Sequence, residues 1–214
     1  MTGLVHVIDD DEGVCGSLHA LLELKGYAVH THTTSAGFLS EFKPEKTLCI
    51  LADLRMPGMG GLELQEHLTQ QGVDVPFIMI TGHGDVSTAV RALKSGAMDF
   101  IEKPLETRLV LAAVERAVDT RRKLLAEAQL VAEAKLKLSD LSPRESEVLQ
   151  FIVLGKPNKI IAFELGISQR TVENHRARLM MKMQSNSVAE LIKIALAGGL
   201  GVGEKVDINQ SVSE

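Results

Sequence analysis

The segment Leu48-Cys49-Ile50-Leu51-Ala52-Asp53-Leu54-Arg55-Met56-Pro57 puts one carboxylate directly after five apolar residues and directly before a cluster of turn residues. A short apolar run bounded in this way predicts a strand buried on both faces, although periodicity alone leaves a piece of buried helix open. The proline and glycines of Met56-Pro57-Gly58-Met59-Gly60-Gly61 then break the chain ahead of a segment with helical spacing. In an open parallel sheet, ligands bind outside the carboxyl ends of the strands, so an acid there faces a crevice instead of a core. Asp53 is therefore read as a reactive group.

The same strand, turn, helix unit recurs on both sides. Residues 4–8 form an apolar run that ends in Asp9-Asp10-Asp11-Glu12, with Val14, Leu18, Leu21 and Leu22 at helical spacing behind it. Residues 28–31 read as a strand and 35–42 as a helix; the Asp53 strand leads to Leu62, Leu64 and Leu68. Residues 75–80 are a strand ending at Thr81-Gly82-His83-Gly84-Asp85, followed by a helix over 86–94. A fifth strand, 98–101, ends at Glu102-Lys103-Pro104. Five β-α units in a row imply a parallel sheet covered by helices on both faces, an α/β class that hosts many functions.

Composition narrows those functions. The 214 residues are 45% apolar, enough for one large or two ordinary cores. No apolar run is long enough to span a bilayer, and the N-terminus lacks a signal-peptide pattern, so a cytoplasmic protein with no membrane partner is expected. Cys15 and Cys49 suit a reducing compartment as small core hydrophobes. The net charge of −5 conceals a split. Residues 1–118 hold 9 basic against 16 acidic side chains, whereas 119–138 hold 5 against 3 and 139–200 hold 8 against 6. An acidic front and a basic rear suggest two tasks, the rear one facing a polyanion.

Each strand end that bears on the crevice carries a chemically useful group: Asp9 and Asp10, then Asp53, Thr81 and Lys103. Clustered carboxylates repel one another unless a cation sits among them, and Mg²⁺ takes such oxygen ligands together with phosphate oxygens. A carboxylate beside that ion can accept a phosphoryl group as an acyl phosphate. Lys103 would offset its charge and Thr81 would donate a hydrogen bond to its oxygen. Asp11 and Glu12 extend the acidic rim and cap the first helix. His30 and His32 share one strand face, but no third metal ligand is near in sequence, so packing is expected of them and a conformational role of His83.

This set resembles a two-component receiver domain, and Asp53-Leu-Arg-Met-Pro57, Thr81-Gly-His-Gly-Asp85 and Asp99-Phe-Ile-Glu-Lys-Pro104 look most like its FixJ-type subgroup. The resemblance implies a flavodoxin/CheY-like sheet of order 2-1-3-4-5, Asp53 as phosphoacceptor, and Mg²⁺ held by Asp10, Asp53 and the backbone carbonyl of Arg55, with Asp9 acting through water. It implies a cis Lys103–Pro104 peptide. It makes Thr81 and Phe100 a switch pair; Phe100 replaces the tyrosine common there, so readout rests on ring packing. It also implies pairing of receivers around residues 90–101. A rival is an aspartyl phosphatase, since Asp9-x-Asp11 has the spacing of haloacid-dehalogenase-like enzymes. It leaves Asp53 unexplained, and its expected threonine is replaced by Gly13.

Between residues 107 and 138 there is no Gly or Pro, and one helix of roughly 45 Å is expected. Val110, Val114, Ala117, Leu124, Ala128, Val131 and Leu138 form a stripe interrupted by Arg121 and Lys135, which leaves a dimer stalk and a solvated single helix both open. Ser142-Pro143-Arg144-Glu145 is a capping signature. A helix with Val148, Leu149, Ile152 and Val153 inside follows, then one over 158–165, then one capped by Ser168 and running to Lys182. Two short helices joined by a glycine-containing turn describe a helix-turn-helix, whose second member enters the major groove.

Leu-Ser-Pro-Arg-Glu145, Asn158-Lys-Ile-Ile-Ala162, Gly166-Ile-Ser168, Arg170-Thr-Val-Glu173, His175 and Lys182-Met183 together resemble a LuxR/NarL-type DNA-binding domain over residues 139–200. By that resemblance Glu173, Asn174 and Ala177 face bases, and Lys156, Lys159, Arg170, Arg176, Arg178 and Lys182 face phosphates. His175 lies nearer the core. Pro157 departs from the small polar residue usual before the asparagine, and residues 188–197 correspond to the dimerisation helix. The expectation is a receiver over 1–118, a helical linker over 119–138, an all-α DNA-binding domain over 139–200 and a tail over 201–214. It would be a response regulator and not a turnover enzyme. Its partners would be a sensor histidine kinase, promoter DNA, a second copy when phosphorylated, and RNA polymerase. A constitutive receiver that ignores phosphorylation is the second rival.

Overall fold

The structure is a computed structural model describing residues 3–82 and 94–201. The chain divides into two compact units, Met1–Leu125 and Ala126–Glu214. The first is built on the strands β1 (Leu4–Ile8), β2 (Ala28–His32), β3 (Thr47–Asp53), β4 (Phe77–Thr81) and β5 (Asp99–Glu102). All are parallel, in the order β2-β1-β3-β4-β5. Helices α1 (Glu12–Glu23), α2 (Ser35–Glu41) and α3 (Gly61–Gln70) connect them, with a 3-10 turn over Pro44–Lys46. The helix expected over 86–94 and the loop residues His83 and Asp85 lie outside the described residues, as does part of the expected pairing face.

β3 is the central strand, and all seven of its residues are buried. Successive side chains point to opposite faces of a strand, so the sheet carries two cores. Val5, Val7, Leu51, Ile78 and Ile80 pack on one side with Leu18 and Leu22 of α1 and with Val110, Val114 and Ala117 of the long helix α4 (Thr107–Ser139). Ile8, Ile50, Ala52 and Met79 pack on the other with Phe38 of α2 and Leu62, Leu64 and Leu68 of α3. Each fully buried side chain of this size contributes about 1.5–3 kcal/mol. β4 starts at Phe77 instead of residue 75 because Pro76 has no N–H to give the ladder; its carbonyl still accepts from Ile50 N at 3.0 Å. The edge strand β5 starts one residue later than expected and buries only Ile101.

α4 is one unbroken helix of 33 residues. Arg121, which interrupts its apolar stripe, is buried. Its guanidinium donates to the carbonyls of Thr47 (3.3 Å), Pro44 (2.9 Å) and Asp74. Pro44 lies in the turn before β3, Thr47 opens β3, and Asp74 precedes β4, so one side chain ties three segments together. Arg121→Ala is expected to cost the first unit about 2 kcal/mol, since buried acceptors lose a charged donor. Urea unfolding followed by far-UV circular dichroism measures this in a chain without tryptophan.

The second unit contains the end of α4 and helices α5 (Pro143–Val153), α6 (Asn158–Glu164), α7 (Gln169–Lys182) and α8 (Val188–Ala197). Val148, Leu149, Ile152, Ile161, Val172, Leu179, Met183 and Leu191 are its core. Helices α5, α7 and α8 start where their capping residues lie, whereas α6 follows Pro157 without a side-chain cap. Ser142 and Glu145 form a capping box with Pro143 in the first turn, Ser168 accepts from Thr171 N, and Ser187 accepts from Glu190 N.

Candidate functional site

Because the sheet is parallel, its strand ends share one edge. Ile8 is level with Ala52, Asp53 with Ile80, and Thr81 with Glu102, which brings Asp9, Asp53, Thr81 and Lys103 to that edge. Asp9 is fully buried, and Asp53 and Thr81 are 6% exposed. Lys103 Nζ lies 2.8 Å from Asp9 Oδ2 and 2.7 Å from Asp53 Oδ1. The other oxygens are held by the backbone: Asp11 N donates to Asp9 Oδ1 at 3.0 Å and Arg55 N to Asp53 Oδ2 at 2.7 Å. Burial opposes the charge on Lys103, but its hydrogen bonds to Asp53 and Asp9 outweigh that and hold its pKa above the ordinary lysine value. The Lys103–Pro104 peptide is cis.

The local chain supports this geometry. A Cβ on Gly61 would meet the Asp53 carbonyl oxygen at 2.5 Å, so the start of α3 can close on the end of β3 only as glycine. The three consecutive acids after β1 are sorted by environment. Asp9 turns in to Lys103, Asp10 is exposed, and Asp11 caps α1 by accepting from Gly13 N and Val14 N. Asp9 and Asp53 around one ammonium leave this edge of the sheet negative, and hard oxygen donors of this kind fit Mg²⁺. Among the described residues no group of three His, Cys, Asp or Glu side chains is placed to hold a metal ion. Thr81 Oγ1 donates to Gly82 O at 3.1 Å, and Phe100 is 42% exposed.

Of the two strand histidines His32 is buried and His30 exposed, and a third, His6, that the strand pattern did not supply packs with them. His6 of β1 is 1% exposed and stacks on His32, the two ring nitrogens 3.0 Å apart, with His30 edge-on to His6. Burial, then the neighbouring His32 and His30, push the His6 pKa down to about 4. His6 is therefore neutral in the folded chain, and the unfolded chain binds its proton first. Stability is retained above the ordinary histidine value of 6.5 and is expected to fall as the pH drops from 6.5 toward 4. Urea midpoints at about pH 7.5, 6 and 5 measure the loss, and His6→Leu should flatten the profile.

In the second unit, Lys156, Lys159, Arg170, Glu173, Asn174, Ala177 and Arg178 are exposed and Arg176 is half-buried. Lys182 is differently engaged: its Nζ lies 2.9 Å from Glu145 Oε2 and 3.0 Å from Asp140 O, so its charge already serves the fold. His175 is half-buried, with Nδ1 enclosed and lacking a hydrogen-bond partner.

These two units match two families: the response regulator receiver domain over residues 5–115, and the bacterial regulatory proteins of the luxR family over residues 139–195. The chain belongs to the two-component response regulators. The transcriptional regulatory protein FixJ of Rhizobium meliloti (strain 1021) is 44% identical to it over 197 residues, covering 92% of this chain and 97% of that protein. FixJ of Azorhizobium caulinodans is 45% identical, covering 92% and 93%. The solved structure of the response regulator StyR has a TM-score of 0.83 at 38% identity, covering 92% of this regulator and 99% of that chain. Receivers of this family generally bind Mg²⁺ at the phosphorylation site. Sequence reasoning on this regulator had no signal for the carbonyl-binding role of Arg121 or for the pairing of Lys182 with Glu145, because both partners are distant in the chain.

Proposed function

We propose that Asp53 of this regulator is the phosphoacceptor for a sensor histidine kinase, and that its phosphorylation controls dimerisation and promoter binding by the second unit to regulate transcription. The observation that carries this is Lys103 bridging Asp9 and Asp53 at the carboxyl edge of the sheet. A carboxylate oxygen of Asp53 forms the new O–P bond as the P–N bond to the kinase histidine breaks. Lys103 keeps its proton and offsets the charge arriving on the phosphoryl oxygens. Mg²⁺, held by Asp10, Asp53 and the Arg55 carbonyl with Asp9 acting through water, would supply further charge neutralisation. Thr81 turns its hydroxyl from Gly82 O toward the phosphoryl group, and the exposed Phe100 ring packs into the space behind it.

The remaining assignments follow the same division of labour. Residues 1–118 are the receiver, 119–138 the linker, 139–200 the DNA-binding domain and 201–214 a tail. Glu173, Asn174 and Ala177 face base edges, with Lys156, Lys159, Arg170, Arg176, Arg178 and Lys182 on phosphates, the last while paired with Glu145. RNA polymerase is a further partner. Among the described residues no helix is long and apolar enough to cross a membrane, which accords with work in the cytoplasm. The full chain, treated with a small acyl phosphate and Mg²⁺, should gain at least about tenfold in affinity for DNA enriched from a random library, a change of ~1.4 kcal/mol. It should also shift toward dimer. Unchanged affinity and mass would support the constitutive alternative.

A further inference from the structure

The face of α7 opposite its core contains a residue that the base-reading assignment leaves out. Val172 and Leu179 are fully buried, and at 3.6 residues per turn the opposite direction runs through Arg170, Asn174, Ala177 and Met181. All four are exposed. Met181 is 72% exposed, against 38% for Met98, the next most exposed methionine among the described residues. A thioether chain held in water at the centre of a polar face forgoes the transfer free energy that burial would return. Two guanidinium groups, Arg170 and Arg178, share that face, so whatever covers it is an anion with an apolar spot.

We propose that Met181 is a specificity-determining residue that packs on the C5 methyl of a thymine in the major groove, one helical turn beyond the base addressed by Ala177. This rests on the DNA-reading assignment of α7 made above. The thymine methyl is the apolar group on the major-groove floor, and an unbranched methionine adapts to its position without needing a fixed hydrogen-bond geometry. Four residues of helix advance about 6 Å, close to two base-pair steps, so Ala177 and Met181 address different bases.

The test uses the full chain with acyl phosphate and Mg²⁺, and duplex DNA that the native chain enriches from a random library. Each thymine is replaced in turn by uracil, which removes only the methyl group. Native chain and Met181→Leu should lose about fourfold in affinity at one position, the equivalent of ~0.8 kcal/mol for one buried methyl-sized group. Met181→Ala should bind thymine and uracil equally there. Losses that are the same in native chain and Met181→Ala at every position, or enriched sites without thymine, overturn the inference while leaving the DNA reading intact. Failure to enrich any sequence overturns the DNA reading itself and the inference with it.

Discussion

Asp53→Asn takes up no phosphoryl group when the full chain is incubated with a small acyl phosphate and Mg²⁺, whereas the native chain takes up one, read by intact mass. The expectation follows from nucleophilicity and position. The amide that replaces Asp53 has no anionic oxygen, yet it is nearly isosteric and keeps the Arg55 N–H partner 2.7 Å from the oxygen position. Asp9 cannot substitute. Both acids share Lys103 and a backbone N–H, but Asp9 is fully buried, whereas Asp53 keeps some exposure at the end of the central strand. Asp9→Asn should therefore slow uptake without moving it. An adduct that persists in Asp53→Asn but vanishes in Asp9→Asn would revive the aspartyl-phosphatase chemistry, and no adduct on the native chain would point to the constitutive receiver.

Glu145→Ala unfolds the second unit more readily than any surface substitution there, with an expected loss of about 3 kcal/mol, toward the low end for a broken buried ion pair because Lys182 is partly exposed and can rehydrate. Glu145 is 4% exposed, and its Oε2 accepts from Ser142 N at 2.9 Å, Ser142 Oγ at 3.0 Å and Lys182 Nζ at 2.9 Å. One carboxylate thus closes the capping box of α5 and ties it to the last turn of α7. The Lys182 ammonium, then the Ser142 backbone N–H, hold its pKa down to about 2, below the ordinary 4.5. With the folded value depressed, this stabilisation is present above pH 4.5 and is lost as the pH falls from 4.5 toward 2. Hydrogen exchange on the full chain should show the loss in α5 and α7 amides and leave β3 unchanged. Equal protection in native chain and variant would mean that the box and the ion pair add nothing to the packed core.

Much of this was readable from residues because the signals were local. Five apolar residues before Asp53 marked β3, and Ser142-Pro143-x-Glu145 and Ser168 fixed the starts of α5 and α7 to the residue. The pocket was legible because a parallel sheet converts strand-end acids into neighbours. What escaped was long-range. Nothing near residue 121 in the chain says that the carbonyls of Pro44, Thr47 and Asp74 wait for a guanidinium, so Arg121 reads as a flaw in a stripe. His6 sat in an apolar run and gave no hint of stacking on His32. The pairing of Lys182 with Glu145 joins residues 37 apart in the chain and leaves no local mark. Pro76 shortened β4 by an atom-level rule that apolar periodicity does not register.

The middle of α4 has a different consequence, which concerns tolerance to mutation. Between Arg122 and Glu133 every residue is exposed except the half-buried Leu125, so this dozen residues is held mainly by its own backbone bonds. Where no neighbour specifies a side chain, exchange among ordinary helix formers alters stability by no more than ~0.7 kcal/mol per site, while proline costs ~3. Within one chain, substitutions there bear on helicity and solubility, and a loss of dimer in such variants would mark the stretch as a stalk. This stretch is where a library of variants can be densest, and where a label or crosslinker can be attached with the smallest disturbance to either core.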